Sequence, residues 1–188
     1  MQRHECIELL EQLKLNGMAE AWDDVVTDGI RRKRSTLEII SRLLQTEYTQ
    51  RQVRSTQYRI AQARIPQHKT LSEFKFEQSM VSEPSLLLLA DGEYIEKKRN
   101  IIFVGGPGTG KTHLSSALAL HAATEGAKVR FYNVLDLVNQ LEQDKDQHKH
   151  KLTGQLCKFD AIVLDELGYL PFSQKGGCIT VPSDQSVT

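Results

Sequence analysis

Several residue types that mark specialised proteins are scarce in this chain. It carries three cysteines in 188 residues, Cys6, Cys157 and Cys178, too few and too scattered for a disulfide framework or a CxxC metal or redox site. That usage suits a reducing cytoplasm, the expected location. No run of 18 apolar residues occurs, so no membrane span is expected. The N-terminus, MQRHECIELLEQL, lacks the apolar stretch of a signal peptide. Proline is absent before Pro66, which favours uninterrupted helix over that length. Net charge is also absent, with 24 basic groups against 24 acidic ones. The 39% hydrophobic and 26% charged fractions are ordinary for a globular protein and exclude collagen and wholesale disorder.

The zero net charge conceals a strong segregation. Residues 1–28 hold two basic and seven acidic groups, whereas residues 29–70 hold ten basic and two acidic ones. A net of +8 over 42 residues can neutralise phosphates along a nucleic acid, although a solvated helix face with long side chains carries such charge equally well. The candidate phosphate contacts are Arg31, Arg32, Lys33, Arg34, Arg51 and Arg54, and further basic positions on the same helix are Arg42, Arg59 and Arg64.

Patterning divides the chain into three parts. Residues 1–70 read as a helical, basic module that binds DNA or a partner. Within it, Ile7, Leu10 and Leu13 recur at helical spacing before a break at Asn16-Gly17, and a second helix covers Met18 to Val26. Ser35-Thr36-Leu37-Glu38 fits a capping box. From there Leu37, Ile40, Leu44, Tyr48 and Val53 trace the apolar face of a long helix ending before Pro66. Residues 71–99 form a connector in which Phe74 and Phe76 pack against something. Residues 100–188 change type: Ile101–Val104 reads as a short buried parallel strand, a helix runs from about Lys111 to Ala123, Lys128–Val134 alternates like a strand, a helix starts at Asp136, Gln143–Lys151 is a polar loop or frayed helix end, and Ala161–Leu164 is another apolar strand. Strands and helices alternating in this way predict an α/β fold with a parallel sheet.

Between the first of those strands and its helix lies Gly105-Gly106-Pro107-Gly108-Thr109-Gly110-Lys111-Thr112, which satisfies G-x-x-x-x-G-K-[ST]. Glycines let successive N–H groups turn toward phosphates, and the helix start adds about half a positive charge. Lys111 is expected on the β- and γ-phosphates of a bound ATP, and the Thr112 hydroxyl on Mg²⁺. The apolar strand Ala161–Leu164 delivers Asp165-Glu166 at its end. Asp165 is the expected second metal ligand and Glu166 the expected general base for an attacking water. Weaker signals are His148-Lys149-His150, more readily a solvated loop than a metal site. The Lys145–Lys151 stretch is a further candidate for touching DNA phosphates. Trp22, Tyr48 and Cys157 are expected to be buried.

Three stretches together resemble a known family: Leu15-Asn16-Gly17-Met18-Ala19-Glu20-Ala21, the phosphate loop continuing into His113-Leu114, and Asp165-Glu166-Leu167-Gly168-Tyr169-Leu170-Pro171. These look like IstB-type helper ATPases of bacterial insertion sequences, which are similar to DnaC-type helicase loaders. The resemblance covers about residue 5 to Gly177. It implies a P-loop NTPase core of the AAA+ type behind an all-helical N-terminal module, with ATP and Mg²⁺ as cofactors. It also implies DNA and the transposase of the same element as partners, and a homo-oligomer. Helicase loading in replication is the alternative role. Members of that family continue well past the stretch matching Pro171, with two more core strands, a polar sensor residue and an arginine finger, whereas seventeen residues follow Pro171 here. The expectation is therefore a sheet incomplete at the C-terminus, with ATP-binding determinants kept and hydrolysis weak, since an arginine finger is worth about 10³–10⁵ in rate. A chain working only through residues 1–70 is the non-enzymatic alternative.

Overall fold

The computed structural model describes residues 2–79, 81–146 and 151–167. The chain opens with three helices, α1 (Arg3–Gln12), α2 (Asn16–Arg31) and α3 (Thr36–Ala63). The predicted capping box starts α3: the Ser35 hydroxyl accepts the Glu38 N–H at 3.3 Å and the Glu38 carboxylate accepts the Ser35 N–H at 2.7 Å. At 28 residues, α3 is about 42 Å long. It stops at Arg64, whose φ of +50° is left-handed, and Pro66 follows two residues later.

The helical hairpin of α2 and α3 closes through a face other than the one the periodicity suggests. Leu43 and Glu47 are the buried α3 positions within it, and two glycines of α2 admit α3. A Cβ on Gly17 would lie 2.9 Å from the Glu47 Cα, and one on Gly29 would lie 2.5 Å from Ile39. Leu37, Ile40, Leu44, Tyr48 and Val53, the stripe read as the apolar face, are exposed. A difference of one residue along a helix rotates the face by 100°, and the glycines and a buried carboxylate, not hydrophobicity, select which face meets α2. Trp22 is half-buried and Cys157 is exposed, so the expected burial of Tyr48 and Cys157 is corrected.

The connector contains two short 3₁₀ turns (Leu71–Glu73 and Phe76–Gln78), α4 (Glu83–Ala90) and α5 (Glu93–Glu96). As anticipated, Phe74 and Phe76 pack, edge to face with centroids 5.0 Å apart, onto a cluster of Leu86, Leu114 and Leu118. The α/β part consists of α6 (Lys111–Glu125), β1 (Val129–Asn133), α7 (Val134–Asp146), α8 (Lys151–Leu156) and β2 (Ala161–Asp165). β1 and β2 are parallel, in register from Val129 opposite Ala161 to Asn133 opposite Asp165. A second cluster joins α3 to this part: Ala63 and Ile65 pack with Ala119, Ala122, Ala123 and Val129. Arg59 Nε donates to the Ala123 carbonyl at 2.9 Å, and Arg130 Nη1 donates to the Gln62 carbonyl at 2.7 Å. Each arginine thereby meets free carbonyls at the C-terminal end of the other part's helix.

Ile101–Val104 is not a paired strand among the described residues. The expected burial is corrected to one face: Ile101 and Phe103 lie on the Leu86–Leu114–Leu118 cluster while Ile102 and Val104 are 80% and 91% exposed. Ile162 and Leu164 of β2 are exposed as well. The segment has an inward face but no neighbour to hydrogen-bond, and unpaired backbone does not register as sheet. Of the stretch 143–151, read as a polar loop or frayed helix end, residues 143–146 continue α7 and Lys151 opens α8; residues 147–150 lie outside the described residues. His148–His150, most of the motif beyond Leu167, and the residues after Pro171 lie outside the described residues, as does the expectation of an interrupted C-terminus.

Candidate functional site

The glycine-rich loop turns sharply into α6. Gly108 and Gly110 have φ of +76° and +85°, conformations in which a side chain is strained. Gly110 is needed twice over, since an added Cβ would meet the Phe74 ring at 2.6 Å. Phe74 also stacks edge-on against His113, with centroids 5.3 Å apart, and the His113 Nε2 lies 3.1 Å from the Thr70 carbonyl. The connector thus buttresses the turn from behind. Gly105, Gly106, Pro107, Gly108 and Thr109 are exposed, with the Thr109 hydroxyl donating to the Gly106 carbonyl at 2.9 Å. Lys111 Nζ donates to the same carbonyl at 2.7 Å, so the ammonium lies over the loop that it follows.

The two motifs read separately along the chain meet in space. Thr112 Oγ1 donates to Asp165 Oδ2 at 3.0 Å across 53 residues. Two causes position this pair: Thr112 sits in the first turn of α6, and Asp165 is the last residue of β2. A hydroxyl and a carboxylate oxygen converging in this way are hard donors of the kind Mg²⁺ takes. The Asp165 Oδ1 accepts the Glu166 N–H at 3.0 Å. Glu166 itself has a left-handed φ of +64°, which turns it away from the strand direction, and its carboxylate accepts the Asn133 side-chain N–H at 2.5 Å. Asn133 was missed in the sequence. It is the last residue of β1, and only the parallel register of β1 with β2 brings it opposite the acid pair. Thr112, Asp165, Glu166, Asn133 and Asp136 line a cavity of about 400 Å³, together with Arg64, Pro66 and Arg130. Among the described residues no cluster of three or more His, Cys, Asp or Glu side chains could hold a metal unaided.

The basic residues fall into two groups. Arg31, Arg32, Arg34 and Arg42 converge on Asp28 at 3.2, 2.7, 3.9 and 3.0 Å. Partial burial opposes ionisation of Asp28, but hydrogen bonds from Arg42 and Arg31 and the charge of Arg32 outweigh it and hold the carboxyl below its usual range. Four cations on one carboxylate leave an excess of positive charge, to which the neighbouring Lys33 adds. Arg51 and Arg54 are engaged differently. Arg51 pairs with the buried Glu47 at 2.9 Å and reaches the Lys14 carbonyl, while Arg54 pairs with Glu20 at 3.3 Å. Glu47 accepts the N–H groups of Gly17 and Met18 at 2.7 and 3.3 Å, so a carboxylate from α3 caps the start of α2. Desolvation opposes its charge, yet these two amides and Arg51 hold its carboxyl below the usual range.

No described helix is long and apolar enough to cross a membrane. A family model described as IstB-like ATP binding protein matches residues 8–181. The chain is 35% identical over 165 residues to a Geobacillus stearothermophilus protein named as an ATP-binding protein of insertion sequence IS5376, covering 87% of this chain and 66% of that one. It is 31% identical over 174 residues to the corresponding IS21 protein of Pseudomonas aeruginosa, covering 92% and 66%. A similar IS232 protein of Bacillus thuringiensis subsp. berliner is 30% identical over 164 residues, covering 86% and 66%. The chain thus spans just under two thirds of the length of these curated relatives.

Proposed function

The chain belongs to the IstB-like ATP-binding family, and from that premise we propose that it is an IS21-type insertion-sequence helper that binds Mg-ATP between its phosphate loop and Asp165. In this reading residues 100–188 hold the nucleotide, residues 71–99 brace the loop, and residues 1–70 contact DNA or a partner. The observation that carries it is the 3.0 Å hydrogen bond joining Thr112 to Asp165, because no structural role of either motif alone requires them to meet. Backbone N–H groups from Gly105 to Lys111 and the start of α6 receive the phosphates. Lys111 exchanges its bond to the Gly106 carbonyl for the β- and γ-phosphates. Thr112 and Asp165 hold the cation, which neutralises phosphate charge when bound. Glu166 orients and deprotonates the attacking water once it leaves Asn133. The excess charge around Arg31, Arg32, Lys33, Arg34 and Arg42 neutralises DNA phosphates. Assistance to the transposase of the same element, through a nucleotide-dependent homo-oligomer on DNA, completes the proposal.

The test is titration of a fluorescent ATP analogue with Mg²⁺ into the full chain and into Lys111→Ala, with circular dichroism on both. Saturable binding by the wild type and its loss in an equally helical variant is the expected result. Equal binding by both proteins would sink the assignment of the loop.

A further inference from the structure

The cavity at Thr112 and Asp165 has a cationic wall that the phosphate-loop motif does not include. Its charged lining consists of Asp136, Asp165 and Glu166 against Arg64 and Arg130. Arg130 is held in place, with Nη1 on the Gln62 carbonyl and its guanidinium 5.5 Å above the Tyr132 ring, although its buried Nε has no partner among the described residues. The Arg64 side chain is not so held. In the basic region the arginines at 31, 32, 34, 42, 51, 54 and 59 are each bonded to a protein acceptor. Arg64 has no hydrogen bond or ion pair among the described residues, although it stands beside three carboxylates' worth of cavity wall.

Its backbone is held for that position. Arg64 has a φ of +50°, which an unconstrained arginine avoids. The flanking Ala63 and Ile65 are 0% and 6% exposed, packed against Ala119, Ala122, Ala123 and Val129. Two buried neighbours therefore fix the place of a residue whose own side chain is exposed and lines the cavity; its left-handed φ is the common ending of a helix, shared here by Lys14, Lys33 and Lys98.

We propose that Arg64 is an in-chain cation for the terminal phosphate of a nucleoside triphosphate, and so distinguishes triphosphate from diphosphate. The proposal rests on the nucleotide reading of the same cavity. Arg64 shares the cavity lining with Thr112, Asp165 and Glu166, and Lys111 immediately precedes Thr112 at the start of α6. A guanidinium there satisfies two terminal oxygens with its planar fork. A diphosphate leaves that wall empty. Because Arg64 terminates α3, the far end of which carries Arg42 and the capping box beside the Asp28 cluster, the same contact ties nucleotide state to the basic helix.

The test measures Mg-ATP and Mg-ADP affinity by competition for the full chain, Arg64→Asn and Arg64→Lys. Asparagine tolerates the left-handed conformation, so the first variant keeps the turn, and thermal melting checks that it does. Arg64→Asn is expected to lose about tenfold in ATP affinity, the worth of one hydrogen bond to a charged group, with ADP unchanged; Arg64→Lys recovers part of the loss. An unchanged ratio of ATP to ADP affinity in Arg64→Asn, or equal loss of both, overturns the proposal while leaving the phosphate-loop assignment intact if Lys111→Ala still abolishes binding. A wild type that binds neither nucleotide overturns both.

Discussion

Gly110 illustrates how much a single residue of this site carries. Its φ of +85° and the Phe74 ring 2.6 Å from a hypothetical Cβ act independently, so Gly110→Ala must both strain the backbone and displace an aromatic from the loop's support. Thermal unfolding should show a loss of about 1–3 kcal/mol, and nucleotide affinity should fall with it. Gly106 offers the contrast, since nothing lies within 4 Å of its Cβ position. The conformation at Gly110 was legible in the motif. Phe74, the reason that the space is filled, was legible only as a hydrophobe in search of a partner.

At the scale of the element, α2 and α3 are joined by a buried carboxylate and two close-approach glycines. Glu47 has its carboxyl lowered against desolvation by the Gly17 and Met18 amides and Arg51, and Asp28 is lowered against partial burial by its arginines. A lowered folded-state value means that stability is fully present above the unfolded values, 4.5 for Glu and 3.8 for Asp. That stability is lost as pH falls through the still lower folded values. Urea unfolding followed by helical circular dichroism should therefore weaken below about pH 4.5, and Glu47→Gln should be less stable at pH 7 and flatter in that acid range. The apolar positions supply a second check. Leu43→Ala, at a buried position, should cost about 2–5 kcal/mol, whereas Leu44→Ala, one residue along and exposed, should stay within about 0.5 kcal/mol. Equal costs would mean that α2 packs on the face that periodicity alone suggested.

For the whole molecule, the charge that neutral composition conceals has a consequence for binding. Affinity for duplex DNA should fall steeply with salt, with a logarithmic slope of about −0.9 per phosphate neutralised. Lys33 has no side-chain partner among the described residues, so Lys33→Ala should reduce that slope by about one and leave the melting temperature unchanged. Arg51 is bound to Glu47 and the Lys14 carbonyl, so Arg51→Ala should instead lower the melting temperature. Filter binding across 50–200 mM salt separates the two behaviours. The packing of Ala63 and Ile65 with α6 and β1 makes α3 common to the basic end and the proposed nucleotide site.

By itself the sequence determined what local spacing encodes: the glycine-rich turn into α6, the acid pair at the end of an apolar strand, the capping box of α3, and the basic bias of residues 29–70. Each depends on residues within a few positions of one another, where steric and hydrogen-bonding rules act without knowledge of the fold. Tertiary structure decided whatever needed two distant segments. It joined Thr112 to Asp165, set Asn133 beside Glu166 through the parallel register, spent Arg51 and Arg54 on internal pairs, and left Arg64 uncommitted at the cavity. It also chose the Leu43–Glu47 face of α3 over the Leu37–Leu44–Tyr48 stripe, because two glycines of α2 let backbones approach there. A hydrophobic pattern specifies that a helix has a face; only the partner's shape specifies which one is covered.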